Sequence, residues 1–167
     1  MSVAASSDLH KAINTTWEAS TLNASFQDLW DSGESSFNPA LHDGEASPGQ
    51  PFPYCVFEQS PGETQSRMTG HDSSEKHEIR DIPISFRIHA RVLSDDNRSA
   101  KEIAADMAEL VMQVFGGHPT VSPDELTLEN GSFLIAQYQT DYGVRSDDDV
   151  YTWIINYIFR LDVPMAV

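Results

Sequence analysis

Two groups of side chains in this sequence have the residue types of metal ligands. His71, Asp72 and His77 lie close together in a polar stretch, and imidazole and carboxylate groups are common zinc ligands. The second group is three consecutive carboxylates, whose oxygens could bind a hard cation: Asp147, Asp148 and Asp149. Neither spacing fixes a coordination geometry. We therefore predict a solvated histidine pair and a charged hairpin turn, with no metal site and no cofactor.

Cys55 is the one thiol of the chain, and it is poorly placed for nucleophilic catalysis. It stands beside Val56 and Phe57 in a short strand-like pattern, without a cationic neighbour that would lower its pKa. The sequence also lacks a nucleophile elbow, a phosphate-binding loop, a dinucleotide motif and paired cysteines. We therefore predict a buried, inert thiol in a protein that is not an enzyme. A hydrolase with an unrecognised site is the alternative that a screen of ester and phosphoester substrates would test.

Arg87, His89 and Arg91 alternate along one predicted strand and would form a small basic ladder on its outward face. Such a ladder is either an ordinary solvated face or a surface that pairs with acidic groups of a neighbouring subunit. The sequence leaves both interpretations open.

Length and charge exclude several classes of protein. The 167 residues suit a single domain, 1–167, since domains commonly have ~100–150 residues. Ten basic against 26 acidic side chains give a net charge of −16, which would repel the phosphates that an autonomous nucleic-acid binder must contact. The N-terminus lacks the features of a secretory signal, and the most apolar stretch, 153–159, is too short for a membrane helix. We expect a soluble protein made in the cytoplasm.

Two amphipathic helices are predicted. Leu9, Ile13 and Trp17 recur every four residues and indicate a helix over 7–19, followed by a short amphipathic piece that ends at Gly33. The main helix spans 99–115, where Ser99 and Glu102 have the spacing of a capping box. Two glycines, 116 and 117, are expected to end this helix.

Strands are predicted over 54–58, 82–92, 125–128, 132–142 and 150–163. Ile82 to Val92 alternate strictly between apolar and polar residues, so one face of that strand should be buried. The last strand is apolar on one face and mixed on the other, where Ile154 and Ile158 lie, and this pattern is typical of a central strand. Asn130-Gly131 predicts a tight hairpin turn, and 143–149 a second turn.

Two polar segments interrupt these elements. Residues 31–53 are rich in Pro, Gly and Ser, and 59–78 have one strongly apolar residue and are predicted to be a long exposed loop or a flexible hairpin tip. Together the elements predict an α+β fold: a twisted antiparallel β-sheet with the N-terminal helix and the main helix packed on one face.

The order of these elements resembles a known family. The helix with Trp17 leads through a Pro-rich approach to the segment 53–58, then to the long loop, the alternating strand, the main helix and the final strands that end at Leu161-Asp162-Val163-Pro164. This order is similar to that of the tail terminators, also called tail-completion or minor tail proteins, of long-tailed bacteriophages. The resemblance covers nearly the whole chain and depends on order and spacing.

The resemblance implies a structural virion protein that acts at the neck, the head-side end of the tail. Such a protein forms a homohexameric ring on the tail tube, ends tube polymerisation, and joins the tail to the head-side connector or completion protein. Double-stranded DNA would pass through the ring without specific binding, and assembly would take place in the host cytoplasm with no membrane involved. Candidate subunit or partner contacts come from the loop, ladder, turn and last strand: Arg67, Met68, His71, Arg87, His89, Arg91, Asp147, Asp148, Asp149, Ile154 and Ile158.

Two other classes of function fit the same residues. Another neck protein, such as a head-completion or connector subunit, would share the size and the lack of catalytic motifs. An acidic protein-interaction module would use the charge of −16 to attract a basic soluble partner.

Overall fold

A computed structural model of the chain describes residues 3–31, 39–60, 63–69, 76–145 and 149–165. Within these ranges the helices are α1 (Val3–Ala19), α2 (Leu22–Gln27) and α3 (Ala100–Phe115). The strands are β1 (Leu41–Asp43), β2 (Tyr54–Gln59), β3 (Glu63–Thr69), β4 (Lys76–Ala90), β5 (Ser132–Arg145) and β6 (Tyr151–Met165). The α+β fold predicted from the sequence is confirmed.

The described strands form one sheet in the order β1-β2-β4-β6-β5. β4 and β6 are its centre and pair in antiparallel register over their whole lengths, from Lys76 opposite Met165 to Ala90 opposite Tyr151. β2 and β3 share the other side of β4, with β2 along 84–89 and β3 along 76–81. β1 lies parallel to β2, so the sheet is mixed rather than wholly antiparallel.

Pro83 shows how the sequence fits this topology. A proline inside a strand removes one backbone N–H donor from the ladder. The Pro83 carbonyl accepts a hydrogen bond from the N–H of Ser60, so the backbone of Pro83 faces the β2–β3 side. There Pro83 falls between Asp81, the last residue of β4 that pairs with β3, and Ile84, the first that pairs with β2. The missing donor therefore lies where the neighbouring ladder is already interrupted.

Both predicted helices cover one face of the sheet, which we call the inner face. The alternation in β4 buries Ile82, Ile84, Phe86 and Ile88 on this face. The Phe115 ring at the end of α3 stacks on Phe86 with ring centroids 4.8 Å apart. α1 reaches the same face further along, because His10 packs edge-on against the Phe57 ring, and Phe57 is directly opposite Phe86. The predicted placement of the helices is thus confirmed.

α3 begins and ends as its sequence predicts. The Ser99 hydroxyl accepts a hydrogen bond from the N–H of Glu102 at 3.2 Å, and the Glu102 carboxylate accepts one from the N–H of Ser99 at 2.7 Å. The helix ends at Phe115, and Gly116 follows with φ of 122°, a conformation that residues with a Cβ rarely adopt. The Gly116 carbonyl then accepts a hydrogen bond from the Tyr157 hydroxyl at 2.7 Å, which fixes the helix end to the sheet.

Residues 125–128 do not form the predicted strand, and no hairpin forms at Asn130-Gly131. Leu126 alone of the segment is buried, and the Asn130 side chain donates a hydrogen bond to Asp8 of α1 at 3.0 Å. Gly131 has no positive φ, so the predicted tight turn is absent. Local packing against α1 therefore replaces strand pairing here.

The two polar segments also differ from their predictions. Of the two alternatives for 59–78, the long loop is wrong and the hairpin is nearer: 63–69 form β3, which pairs in antiparallel register with the start of β4. Polar side chains do not prevent a strand whose backbone groups are satisfied by a neighbour. The segment 31–53 contains β1, whose Leu41 is buried opposite Cys55. β1 has only three residues, which is too short for an alternation of apolar and polar residues to be recognised in the sequence.

Candidate interaction surface

The edge strand β5 carries most of the exposed large apolar side chains in the described part of the chain. Five of its side chains are between 38% and 49% exposed: Leu134, Ile135, Tyr138, Tyr142 and Val144. Among the described strands β5 pairs with β6 alone, so the N–H and C=O groups along its other side face outward. We call these five residues and this free side the β5 edge. Exposed apolar residues on an unpaired strand are typical of a protein-interaction site.

The inner side of β5 is fixed to the core, which positions the β5 edge. Phe133 packs on Phe159 with ring centroids 6.0 Å apart, and Tyr138 lies edge-on to Tyr157 at 6.3 Å. Asp141 accepts hydrogen bonds from the Tyr138 hydroxyl and from the Trp153 indole N–H. The bond to Asp141 is the main reason that the pKa of Tyr138 is raised. These contacts anchor β5 to the core while its other side remains exposed.

Two register shifts interrupt the pairing of β5 with β6, one between Phe133 and Ile135 and one between Tyr138 and Thr140. Each shift adds a residue to β5 without a partner and bends the strand locally. Natural edge strands use such bulges to prevent indefinite edge-to-edge association. The β5 edge can therefore pair with a matching partner but is a poor template for aggregation.

The predicted basic ladder lies on the outer face, opposite the helices, but its members have different surroundings. Arg87 forms an ion pair with Glu58 of the same chain at 3.0 Å. His89 lies 2.9 Å from the Thr152 hydroxyl, and burial, assisted by Arg87, lowers its pKa. Arg91 lies over the Phe52 ring at 4.3 Å from its centroid. The charge of Arg87 is therefore paired within the subunit, and of the three residues only Arg91 is exposed.

Ile154 and Ile158 lie on the outer face of β6 and are half-buried. Ile154 is directly opposite Tyr142, so it extends the apolar surface of the β5 edge toward the centre of the sheet. Ile158 is opposite Gln137. The structure therefore places Ile154 next to the most exposed part of the sheet.

The remaining predicted contact residues are distributed along the chain. By register, Arg67 lies opposite Glu78 and Met68 opposite His77, in β3 rather than in a loop. Asp149 is exposed shortly before β6. His71, Asp147 and Asp148 lie outside the described residues, as does Asp72. Of the described residues among these, Asp149 lines a groove at one end of the sheet together with Arg91 of the ladder.

His77 and Cys55, two residues whose types could bind a metal, contact other parts of the sheet instead. His77 lies 3.0 Å from a carboxylate oxygen of Asp162 across the β4–β6 pair. Cys55 is fully buried, and this burial raises its pKa far above the ordinary value for a thiol. The predicted burial of Cys55 is confirmed. Within the described ranges no group of three or more His, Cys, Asp and Glu side chains is arranged to hold a metal ion, and no helix there is long and apolar enough to cross a membrane.

Sequence patterns alone did not identify the charged pairs between and within the central strands. Arg160 donates two hydrogen bonds to the Asp81 carboxylate, at 2.7 and 2.8 Å, from the neighbouring strand. Arg80 and Glu78 form an almost fully buried ion pair at 3.1 Å on the inner face. The Glu78–Arg80 pair could have been predicted, because oppositely charged residues at positions i and i+2 of a strand lie on the same face.

Comparison with known proteins identifies the fold. No family model matches the chain, and no curated protein sequence does. Sixteen chains of solved structures match it in fold. One of them is a chain of the virion of a native gene transfer agent particle, with 16% sequence identity and a TM-score of 0.51 over 97% of this chain and 99% of that one. This chain therefore shares its fold, over almost its whole length, with a chain of that virion.

Proposed function

We propose that this chain is a structural protein of a virion and works by assembly rather than by catalysis. The observation that carries the proposal is the β5 edge, a long edge strand that exposes five large apolar side chains and, along one side, backbone groups without a partner strand among the described residues. Leaving such a surface in water has a free-energy cost, so natural monomers usually cover it or use it as a contact site. The fold shared with a chain of the gene transfer agent virion supports the same proposal.

The more specific proposal is a tail terminator: a hexameric ring that caps the tail tube, ends its growth and joins the tail to the head-side connector. In a ring each subunit contacts one neighbour through one surface and the other neighbour through a different surface. Such head-to-tail contacts close into a ring when the rotation between neighbours divides a full turn. The β5 edge at one end of the strand order and the β1–β2 edge at the other supply two different surfaces. The resemblance in the order of elements supports this role among virion proteins.

The acidic charge suits a ring through which DNA passes. Each copy carries a net charge of −16, and duplex DNA carries one negative charge per ~1.7 Å. Carboxylates that face the lumen of a ring would keep the passing duplex from adhering. Reversal of several lumen carboxylates to lysine should therefore slow genome ejection, and unchanged infectivity would count against this part of the proposal.

Electron microscopy of particles from a deletion mutant tests the role directly. Loss of a terminator should give overlong tails without heads, because nothing stops tube growth. Loss of a head-completion or connector subunit, the second candidate, should instead leave tails of normal length beside unjoined heads. Normal, joined particles would contradict both roles and favour an acidic module that binds one basic soluble partner.

A further inference from the structure

A groove at one end of the sheet is lined by three cations that form no ion pair with described residues. It lies between the first turn of α3 and the start of β6. Its lining includes three cations and one exposed carboxylate together with Tyr151: Arg91, Lys101, Arg145 and Asp149. The volume of the groove is about 540 Å³. We call these three basic side chains and their surroundings the cation groove.

The other cations with described side chains are neutralised within the chain. They form ion pairs with carboxylates at 2.6 to 3.2 Å: Lys11 with Glu129, Arg80 with Glu78, Arg87 with Glu58, Arg98 with Asp96 and Asp106, and Arg160 with Asp81. Arg91, Lys101 and Arg145 are the three of this described set that form no ion pair. All three line the same groove, although the chain has 26 acidic side chains.

A second groove, on the β2 side of the same end, has the opposite charge. It shares Arg91 with the cation groove, and its lining includes Asp28, Glu45 and Asp95, none of which forms an ion pair with a described cation. We call these three carboxylates and their surroundings the acid groove. The acid groove lies toward β1 and β2, and the cation groove toward β6 and β5, so charge changes sign across the order of strands.

This polarity selects one arrangement of two copies. In a two-fold symmetric dimer each groove would face its own copy, so like charges would meet. In a head-to-tail arrangement the β1–β2 side of one copy instead faces the β5 side of the next, so opposite charges meet. We propose that the cation groove receives carboxylates of the acid groove from a second copy of this chain. This inference rests on the proposed function, since a head-to-tail contact is what a ring requires.

In the proposed contact the attraction comes from the charged side chains of the cation groove and not from the N-terminus of α3. The first turn of α3 is already satisfied by the capping box between Ser99 and Glu102, so its backbone adds little attraction for an anion. Charge pairs at the rim of an interface mainly orient the partners and accelerate their encounter, and they weaken with salt. The apolar β5 edge would supply the affinity, and the two grooves would select the direction.

Sedimentation velocity of the full chain over a range of concentrations tests the inference, with three variants compared at low salt. Lys101→Glu should weaken self-association about fivefold, from the loss of one ion pair and the addition of one repulsion. Adding Glu45→Lys restores the net charge and the complementarity, so the double variant should recover wild-type association. Lys11→Glu is the matched control, because it changes the charge equally on a surface remote from both grooves, and it should leave association unchanged.

A cross-linking experiment identifies the two grooves as partners. A mixture of Arg145→Cys and Glu45→Cys copies should form a disulfide-linked dimer under mild oxidation, while each variant alone should not. Equal association of all variants, or no mixed dimer, would overturn the inference and leave the proposed function standing. A wild-type chain that stays monomeric at every concentration would also overturn it, and electron microscopy of the deletion mutant would then decide the proposed function independently.

Discussion

The centre of the sheet and its β5 edge are built from similar residues but use them differently. β4 and β6 direct Ile82, Phe86 and Phe159 inward, where each is fully or almost fully buried. β5 carries residues of the same types, yet Ile135 and Tyr142 remain nearly half exposed. The centre is covered by the helices and by strands on both sides, whereas β5 has a partner strand on one side. Apolar residues in the centre therefore stabilise the fold, and those at the edge remain available for a partner.

Removal of a large core side chain should give the greatest loss of folding stability. Phe86 contacts Phe115, Tyr157 and Phe57 within the inner core. Phe86→Ala should lower the free energy of unfolding by about 3–5 kcal/mol, from lost burial and from the cavity that remains. Urea denaturation followed by tryptophan fluorescence measures this change. A loss below about 1 kcal/mol would show that this part of the sheet is not the core.

The buried Glu78–Arg80 pair should give the next largest effect. Glu78→Ala leaves a buried guanidinium without its carboxylate and should cost about 3 kcal/mol of stability. The Arg80 Nε has no hydrogen-bond partner in the described structure, so the pair is imperfectly satisfied. Replacing both residues, with Glu78→Leu and Arg80→Met, should therefore leave stability within about 1 kcal/mol of the wild type.

The same denaturation experiment compares the single and the paired replacements. If the paired replacement were as unstable as Glu78→Ala, the ion pair would contribute net stability, and the centre of the sheet would depend on charge as well as on apolar burial.

A smaller, local effect is expected in the connection that leaves β4. The Arg98 guanidinium donates three hydrogen bonds to the Asp96 carboxylate, and these lower the pKa of Asp96 to about 2. Because the folded-state pKa lies below the unfolded value of ~3.9, this contact stabilises the fold above that value. The stabilisation is lost as the pH falls toward 2.

Titration of the Asp96 carboxyl carbon by NMR measures this pKa. In Arg98→Ala the midpoint should rise to near the ordinary value for aspartate, while stability at neutral pH should fall only modestly, because both side chains are partly exposed and solvent screens their attraction. A midpoint that does not move would contradict the assignment of Arg98 as the cause.

The sequence was sufficient to predict the centre of the molecule but not its edges. The alternation in Ile82–Val92, the mixed faces of β6 and the Ser99–Glu102 capping box are local patterns, and each led to the observed element. β1 and β3 were missed because their pairing depends on backbone hydrogen bonds to distant segments. The exposure of the β5 edge was not predicted for a related reason: the composition of β5 does not indicate whether a second strand pairs with its other side. The predicted contact Ile154 lies beside that surface because β6 is the neighbour of β5.

The β5 edge should give the smallest effect on folding and a large effect on assembly. Ile135→Thr combined with Tyr142→Thr keeps β-branched residues in the strand and removes two exposed apolar side chains. Because about half of each side chain is already exposed in the single chain, the free energy of unfolding should fall by no more than about 1 kcal/mol.

Self-association measured by sedimentation should fall sharply in the same double variant, since a partner would bury these side chains. Val121→Thr is the matched control: Val121 is 41% exposed but lies in the connection after α3, so its replacement should leave association unchanged. If the double variant associated as well as the control, the β5 edge would not be the contact surface. If instead it unfolded easily, the edge would belong to the core, and the contrast between the two regions would not hold.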